Sequence, residues 1–247
     1  MSNVEVRGYS ERGMINALCY EIMYSNNSIK LLKDFLELCT FPFSTPNFEN
    51  IQNGKICIEQ SFSNFGDLDL LILLDGNPRQ AVLLEAKVKT YQSNIWSISS
   101  EWNDFKQLCD DLSKNTNMNK HTSNLFVQLY RKMRLIEKVK NVDKGLSPDI
   151  FSSRWSLGEN AIVRKASDEL ASYTSKVWFV ALVPDSEQNI KLFISNEIRV
   201  PPNNLPDWDT STFGYLTWEV LHNHCKRYND DWKFMLANFE YNAGQIY

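Results

Sequence analysis

Two apolar runs, "LDLLILL" at 68–74 and "AVLLEAKV" at 81–88, stand a hairpin's length apart and are joined by the turn-rich "DGNPR". Short continuous apolar runs suit strands covered on both faces, and covering both faces of a sheet takes two layers of helix. A turn centred on Asn77 between Gly76 and Pro78 makes the pair an antiparallel hairpin. That register sets Asp69 opposite Glu85 and Asp67 opposite Lys87. Because strand side chains alternate, Asp67 and Asp69 share one face of their strand, and Glu85 and Lys87 share one face of theirs. Three acids and one lysine therefore gather at the end of the hairpin farthest from its turn.

The flanking sequence supplies the helices. Ser10 and Glu11 open the run "RGMINALCYEIMYS" as a helix start, with the Ser10 hydroxyl available as a cap. "SIKLLKDFLELC" from Ser28 to Cys39 reads as a second helix, closed by Phe-Pro and Thr-Pro. "KICIEQSF" alternates like a strand ahead of the hairpin. Beyond Tyr91, "SEWNDFKQLCDDLSK" and "TSNLFVQLYRKMRLIEKVK" have helical spacing, and "LSPDIFSSRWSLGEN" reads as an irregular loop. "KVWFVALVP" and "IKLFISN" read as two strands about the polar turn "DSEQN". "FGYLTWEVLHNHCKRY" and "DDWKFMLANFEY" then close the chain as helices. The sum is an α/β or α+β layout, a central mixed sheet flanked by helices, in a single domain over 1–247.

Composition removes several function classes. The first residues, "MSNVEVRGYSERG", lack the apolar stretch of a secretory leader, and no run is long enough to span a bilayer, so the expectation is a cytoplasmic protein with no membrane partner. The five cysteines are scattered and never form C-x-x-C, which argues for reduced thiols. "HNHC" at His222 to Cys225 has no second ligand pair near it and is not promoted to a metal site. A formal net charge of −4 disfavours a protein that coats nucleic acid non-specifically. One segment is nevertheless basic: from Lys114 to Lys144, Lys114, Lys120, Arg131, Lys132, Arg134, Lys138, Lys140 and Lys144 outnumber Glu137 and Asp143.

Carboxylates at the end of so apolar a sheet need partners. Interstrand salt bridges would serve. A divalent ion would serve as well, since hard oxygen ligands from Asp69 and Glu85 suit Mg²⁺ or Mn²⁺, and the Lys87 ammonium beside them can orient a water. Glu11 adds to this, because it projects from the apolar arc of Met14, Ile15, Leu18 and Ile22. Either the helix dipole holds it at the N-terminus, or it points over the sheet towards the same ion.

An acidic helix, an aspartate at the start of one strand and Glu-x-Lys on the next resemble the PD-(D/E)XK nuclease superfamily, through Glu11, Asp69, Glu85 and Lys87. Leu68 stands where the family usually has proline. The resemblance covers 9–112, the nuclease-like core, and leaves 113–247 as a basic helix, two further strands and C-terminal helices. It implies a restriction-endonuclease-like core and metal-dependent hydrolysis of a nucleic-acid phosphodiester, in defence or repair. In that reading Asp69, Glu85 and the Ala86 carbonyl hold Mg²⁺ or Mn²⁺, with Glu11 as a further ligand or a group behind the ligands. Lys87 positions the attacking water, and Gln107 matches a helix glutamine of some branches. Arg131, Lys132, Arg134 and Lys138 would contact phosphates. The implied partner is nucleic acid, DNA before RNA, with a homodimer left open. The rival reading is a binding or assembly module that keeps this fold with weak or no catalysis.

Overall fold

The computed structural model describes residues 7–89, 96–113, 123–198, 205–242 and 244–247. Its centre is a five-stranded mixed sheet in the order β1 (Asn53–Ser61), β2 (Asp67–Asp75), β3 (Gln80–Ala86), β4 (Val177–Val183), β5 (Phe213–Thr217). The first three strands are antiparallel neighbours, and β3, β4 and β5 run parallel. Both halves of the chain thus build one sheet.

Strand alternation sorts the side chains of that sheet into two cores. Leu70, Ile72, Leu74, Val82, Leu84, Val180 and Leu182 pack against α1 (Ser10–Tyr24), α2 (Ser28–Glu37), α7 (Trp218–Arg227) and α8 (Lys233–Tyr241). Leu71, Leu73, Ala81, Leu83, Phe179 and Ala181 face α3 (Ile98–Ser113), α4 (Leu125–Lys140), α5 (Ala161–Ala171) and α6 (Glu187–Asn196). β3 and β4 are buried along their whole length, as their unbroken apolar runs require.

Three elements differ from the sequence reading. "IKLFISN" belongs to a helix, α6: Ser186 accepts a hydrogen bond from Asn189 N as its cap, and Ile190, Phe193 and Ile194 form the inward stripe. "FGYLT" is β5 and passes directly into α7, where Thr217 caps by accepting from Val220 N. The segment after Gly158, given no element, is α5, capped by the Asn160 side-chain oxygen Oδ1 accepting from Ile162 and Val163 N–H. At the other end of the chain, α1 begins at Ser10 without a side-chain cap.

The basic helix α4 is not a surface helix. Leu125, Phe126, Val127, Leu129, Tyr130, Met133, Leu135, Ile136 and Val139 are buried around its whole circumference. Sheet and α3 cover its inner side. Its outer side lies under irregular segments, with Phe151 5.3 Å and Trp155 and Trp208 6.4 Å from Tyr130 between ring centroids. Trp102 and Trp155 are likewise packing residues, buried and ringed by aromatics. The five cysteines are all free thiols. Among the described residues, no helix is long and apolar enough to cross a membrane.

Candidate active site at a fork in the sheet

The hairpin register is the one that a turn at Asn77 requires: Leu74 pairs with Gln80, Ile72 with Val82 and Leu70 with Leu84. There the β2–β3 ladder stops. β2 stays with β1 as far as the pair Asp67–Ser61, while β3 stays with β4 as far as Ala86–Leu182. The two strands part company, and Asp69 and Glu85 stand on either side of the gap. Ala86 N–H, whose ladder partner is gone, donates to Asp69 Oδ2 at 2.7 Å. The aspartate thus closes the ladder with its side chain and holds its carboxylate in the fork.

Strict alternation fails at this point, because Leu68 packs with Leu71 and Leu73 and not with Leu70. Asp67 follows the β1 side and is exposed. The expected Asp67–Lys87 pair is therefore not formed: β2 and β3 have separated before they reach it. Lys87 is half-buried, its N–H donates to Leu182 O at 2.8 Å, and its ammonium has no ion pair within 4 Å among the described residues.

Glu85 is fully buried, and neither of its carboxylate oxygens has a hydrogen-bond partner among the described residues. Among the described residues its one countercharge within 4 Å is Lys132 of α4, whose Nζ stands 3.3 Å from Oε1. Burial pushes the Glu85 carboxyl up from the ordinary range, Lys132 and Lys87 pull it down, and Asp69 pushes it further up. The same burial pushes Lys132 down against the pull of Glu85. Glu11, in the first turn of α1, is half-buried and lies within electrostatic reach of Lys87 and Asp69. Burial raises its carboxyl to about 7, with Lys87 lowering it, Asp69 raising it and Arg12 lowering it in diminishing order. Glu11, Asp69, Glu85, Ala86 and Lys87 thus meet at one end of the sheet.

The other expected residues fall elsewhere. Gln107 is exposed on α3, on the opposite side from the inward Trp102, Phe105, Leu108 and Cys109, and does not face the fork. The α3 side chain that does is Glu101, half-buried near Lys87 and accepting from Leu125 N at 2.7 Å, which places it at the start of α4. Lys132 and Arg134 are both interior, so neither belongs to a solvated phosphate-binding face. Arg134, only 2 % exposed, pairs with Asp149 at 3.3 Å and with Asp207, and donates to Ser147 O at 2.5 Å. Lys138 donates to Val142 O and Lys144 O, each at 3.1 Å, which ties down the turn after α4. Lys114 and Lys120 lie outside the described residues.

Lys140 is exposed at the end of α4, and Arg131 is the remaining basic side chain of the helix. It is half-buried, its Nη1 reaches within 3.9 Å of where a Cβ would stand on Gly66, and it has no hydrogen bond or ion pair among the described residues. Glu21 is structural, accepting from Met235 N at 2.6 Å at the start of α8. His222 stacks on Phe239 with ring centroids 4.4 Å apart, and Cys225 is buried, so "HNHC" is packing.

Lys132 could have been read from spacing. It recurs with Leu125, Leu129 and Ile136 at helical intervals, in the apolar stripe itself. Its partner, 47 positions earlier in the chain, could not.

The donor set is one of hard oxygens, and a buried carboxylate without hydrogen-bond donors is the kind of group a divalent ion satisfies. Among the described residues, no three His, Cys, Asp or Glu side chains come together as a metal-holding group. Compared with family models, with curated proteins and with solved structures, the chain has no match in any of the three.

Proposed function

We propose that the protein is a metal-dependent phosphodiesterase of the PD-(D/E)XK kind, with a restriction-endonuclease-like core, acting on nucleic acid and on DNA before RNA. The observation that carries this reading is the fork. Asp69 and Glu85 flank the gap where β2 leaves β3, Glu85 Oε2 is buried with no hydrogen-bond donor among the described residues, and Lys87 follows two residues later.

Asp69, Glu85 and the Ala86 carbonyl would hold Mg²⁺ or Mn²⁺, with Glu11 behind them. Such an ion would polarise a phosphoryl oxygen and acidify water. The chain's own groups do the rest. Lys87, with no ion pair among the described residues, orients the attacking water and offsets charge growing on the phosphoryl oxygens. Water adds to phosphorus, the bond to one ester oxygen breaks, and that oxygen takes up a proton as it leaves. Arg131, whose guanidinium lies beside Gly66 and has no hydrogen bond or ion pair among the described residues, is the group best placed to hold a phosphate without reading a base.

The rival reading, a binding or assembly module without turnover, draws on the Lys132 ammonium already seated against Glu85. One assay separates them. Plasmid, linear duplex, single-stranded DNA and RNA are incubated with the protein in Mg²⁺ and in EDTA. Metal-dependent cleavage, lost in Lys87→Ala with the wild-type melting temperature retained, is expected. Binding without cleavage of any substrate would refute the enzyme and leave the module.

A further inference from the structure

The position of Lys132 goes further than a salt bridge. Its side chain is 1 % exposed, and the ammonium has three oxygens around it: Phe65 O at 2.9 Å, Asp67 O at 2.8 Å and Glu85 Oε1 at 3.3 Å. Two main-chain carbonyls and a carboxylate are the ligands a hard cation takes. The cradle is shaped for its occupant. The two carbonyls come from residues on either side of Gly66, whose φ of +79° is the left-handed turn that lets both converge on one point. A Cβ at Gly66 would stand 3.3 Å from the lysine nitrogen. The cradle oxygens that face the fork are thus already answered by a positive charge carried on the chain.

A second positive ion on the same carboxylate oxygen would have to sit against this ammonium, and like charges at contact distance in so dry a place repel strongly. Glu85 Oε2 and Asp69 remain open to an added ion; Oε1 does not. We propose that Lys132 is a tethered resident cation: its ammonium fills the cradle of Phe65 O, Asp67 O and Glu85 Oε1, so that the fork accepts one divalent ion where its oxygens alone would accept two. This rests on reading the fork as a divalent-metal site. In that site Lys132 is a positioning residue, acting through Glu85 and touching no substrate.

The test counts ions on the full chain. Mn²⁺ is titrated into metal-free wild type, Lys132→Met and Lys132→Gln by calorimetry, with free Mn²⁺ followed by electron paramagnetic resonance and the fold checked by circular dichroism. One Mn²⁺ per wild-type chain and two per variant is expected, with Mn²⁺ raising the variants' melting temperature more than the wild type's because the ion replaces the missing ammonium. Two ions per wild-type chain would overturn the proposal whatever the variants do, and leave the metal-site reading standing. A variant that folds and still binds one ion, as wild type does, would overturn it in the same way. No Mn²⁺ on wild type and one on the variants would overturn the proposal, because the native fork would then take no divalent ion, and would refute the metal reading with it. No Mn²⁺ on any of them would sink both.

Discussion

Replacing Arg134 by methionine tests whether α4 is an interior helix or a basic face. In the structure the guanidinium serves three directions: Nε lies 3.3 Å from Asp149 Oδ2, Nη2 donates to Ser147 O at 2.5 Å, and Nη1 meets Asp207. It also lies 5.5 Å from the ring centre of Trp155. Methionine keeps much of the stem packing and removes the charge. Asp207, with its side chain 32 % exposed, is then taken over by water and contributes at most about 1 kcal/mol. The Ser147 carbonyl loses its donor, a cost of about 1 kcal/mol. Asp149 decides the outcome. Its side chain is 4 % exposed. It still accepts from Tyr130 Oη at 2.5 Å, Phe151 N at 2.9 Å and Ser152 N at 3.2 Å, but its countercharge is gone. Stranding a buried charge in this way costs about 3–5 kcal/mol, and the surviving donors place Arg134→Met towards the lower end even after the carbonyl is included. Against a total stability of roughly 5–15 kcal/mol, the urea midpoint should fall by a fifth or more and the melting temperature by on the order of 10 °C. The salt dependence of nucleic-acid binding by the folded variant should match wild type. A variant that melts with wild type but binds DNA with a shallower salt dependence would refute the interior assignment and restore Arg134 to a phosphate-contacting surface.

Two further outcomes follow from groups at the fork. In metal-free protein the folded chain holds the Glu11 proton up to about pH 7, while the unfolded chain releases it near the ordinary value of 4.5, so the folded state binds more protons between these limits. The resulting stability is complete below 4.5 and is lost as pH rises through 7. Glu11→Gln should remove that decline, matching wild type near pH 4.5 and exceeding it at pH 8 by on the order of 2–3 kcal/mol after allowance for partial solvent access; urea curves that run parallel in EDTA at both pH values would contradict it. Arg131→Ala should leave the melting temperature within about 1 °C, since no ion pair among the described residues is broken, and lower the slope of log affinity against log salt by about one on duplex DNA. An unchanged slope would take Arg131 out of the phosphate-binding role.

What could be read from the sequence follows the range of the interactions involved. The hairpin is local: a turn at Asn77 and a period of two fix the approach of Asp69 to Glu85, and the paired residues from Leu70–Leu84 to Leu74–Gln80 have that register. The fork is not local. It arises because β2 is held by β1 and β3 by β4, and β4 lies about ninety residues further along the chain. "IKLFISN" fits both an alternating and a helical pattern over so short a length, and the Ser186 cap, one turn upstream, decides for the helix.

The basic block misled for a different reason. A run of lysines and arginines on a helix reads as a solvated face only when that helix has an open side, and every α4 side chain before Lys140 is buried or half-buried. The residues that close its outer side, Phe151, Trp155 and Trp208, come from irregular segments with no period to betray them. The internal sign was nevertheless present. Lys132 shares its stripe with Leu125, Leu129 and Ile136, and Arg134 shares one with Val127 and Tyr130. A cation repeated inside an apolar stripe is too costly to bury alone. It therefore announces an acid, or a set of oxygens, waiting elsewhere in the chain: Glu85 with the Phe65 and Asp67 carbonyls for the one, Asp149 and Asp207 for the other. Glu11 in the stripe of α1 obeys the same logic with the sign reversed. Charges that interrupt an apolar period are thus better guides to this site than the charges that stand in a row.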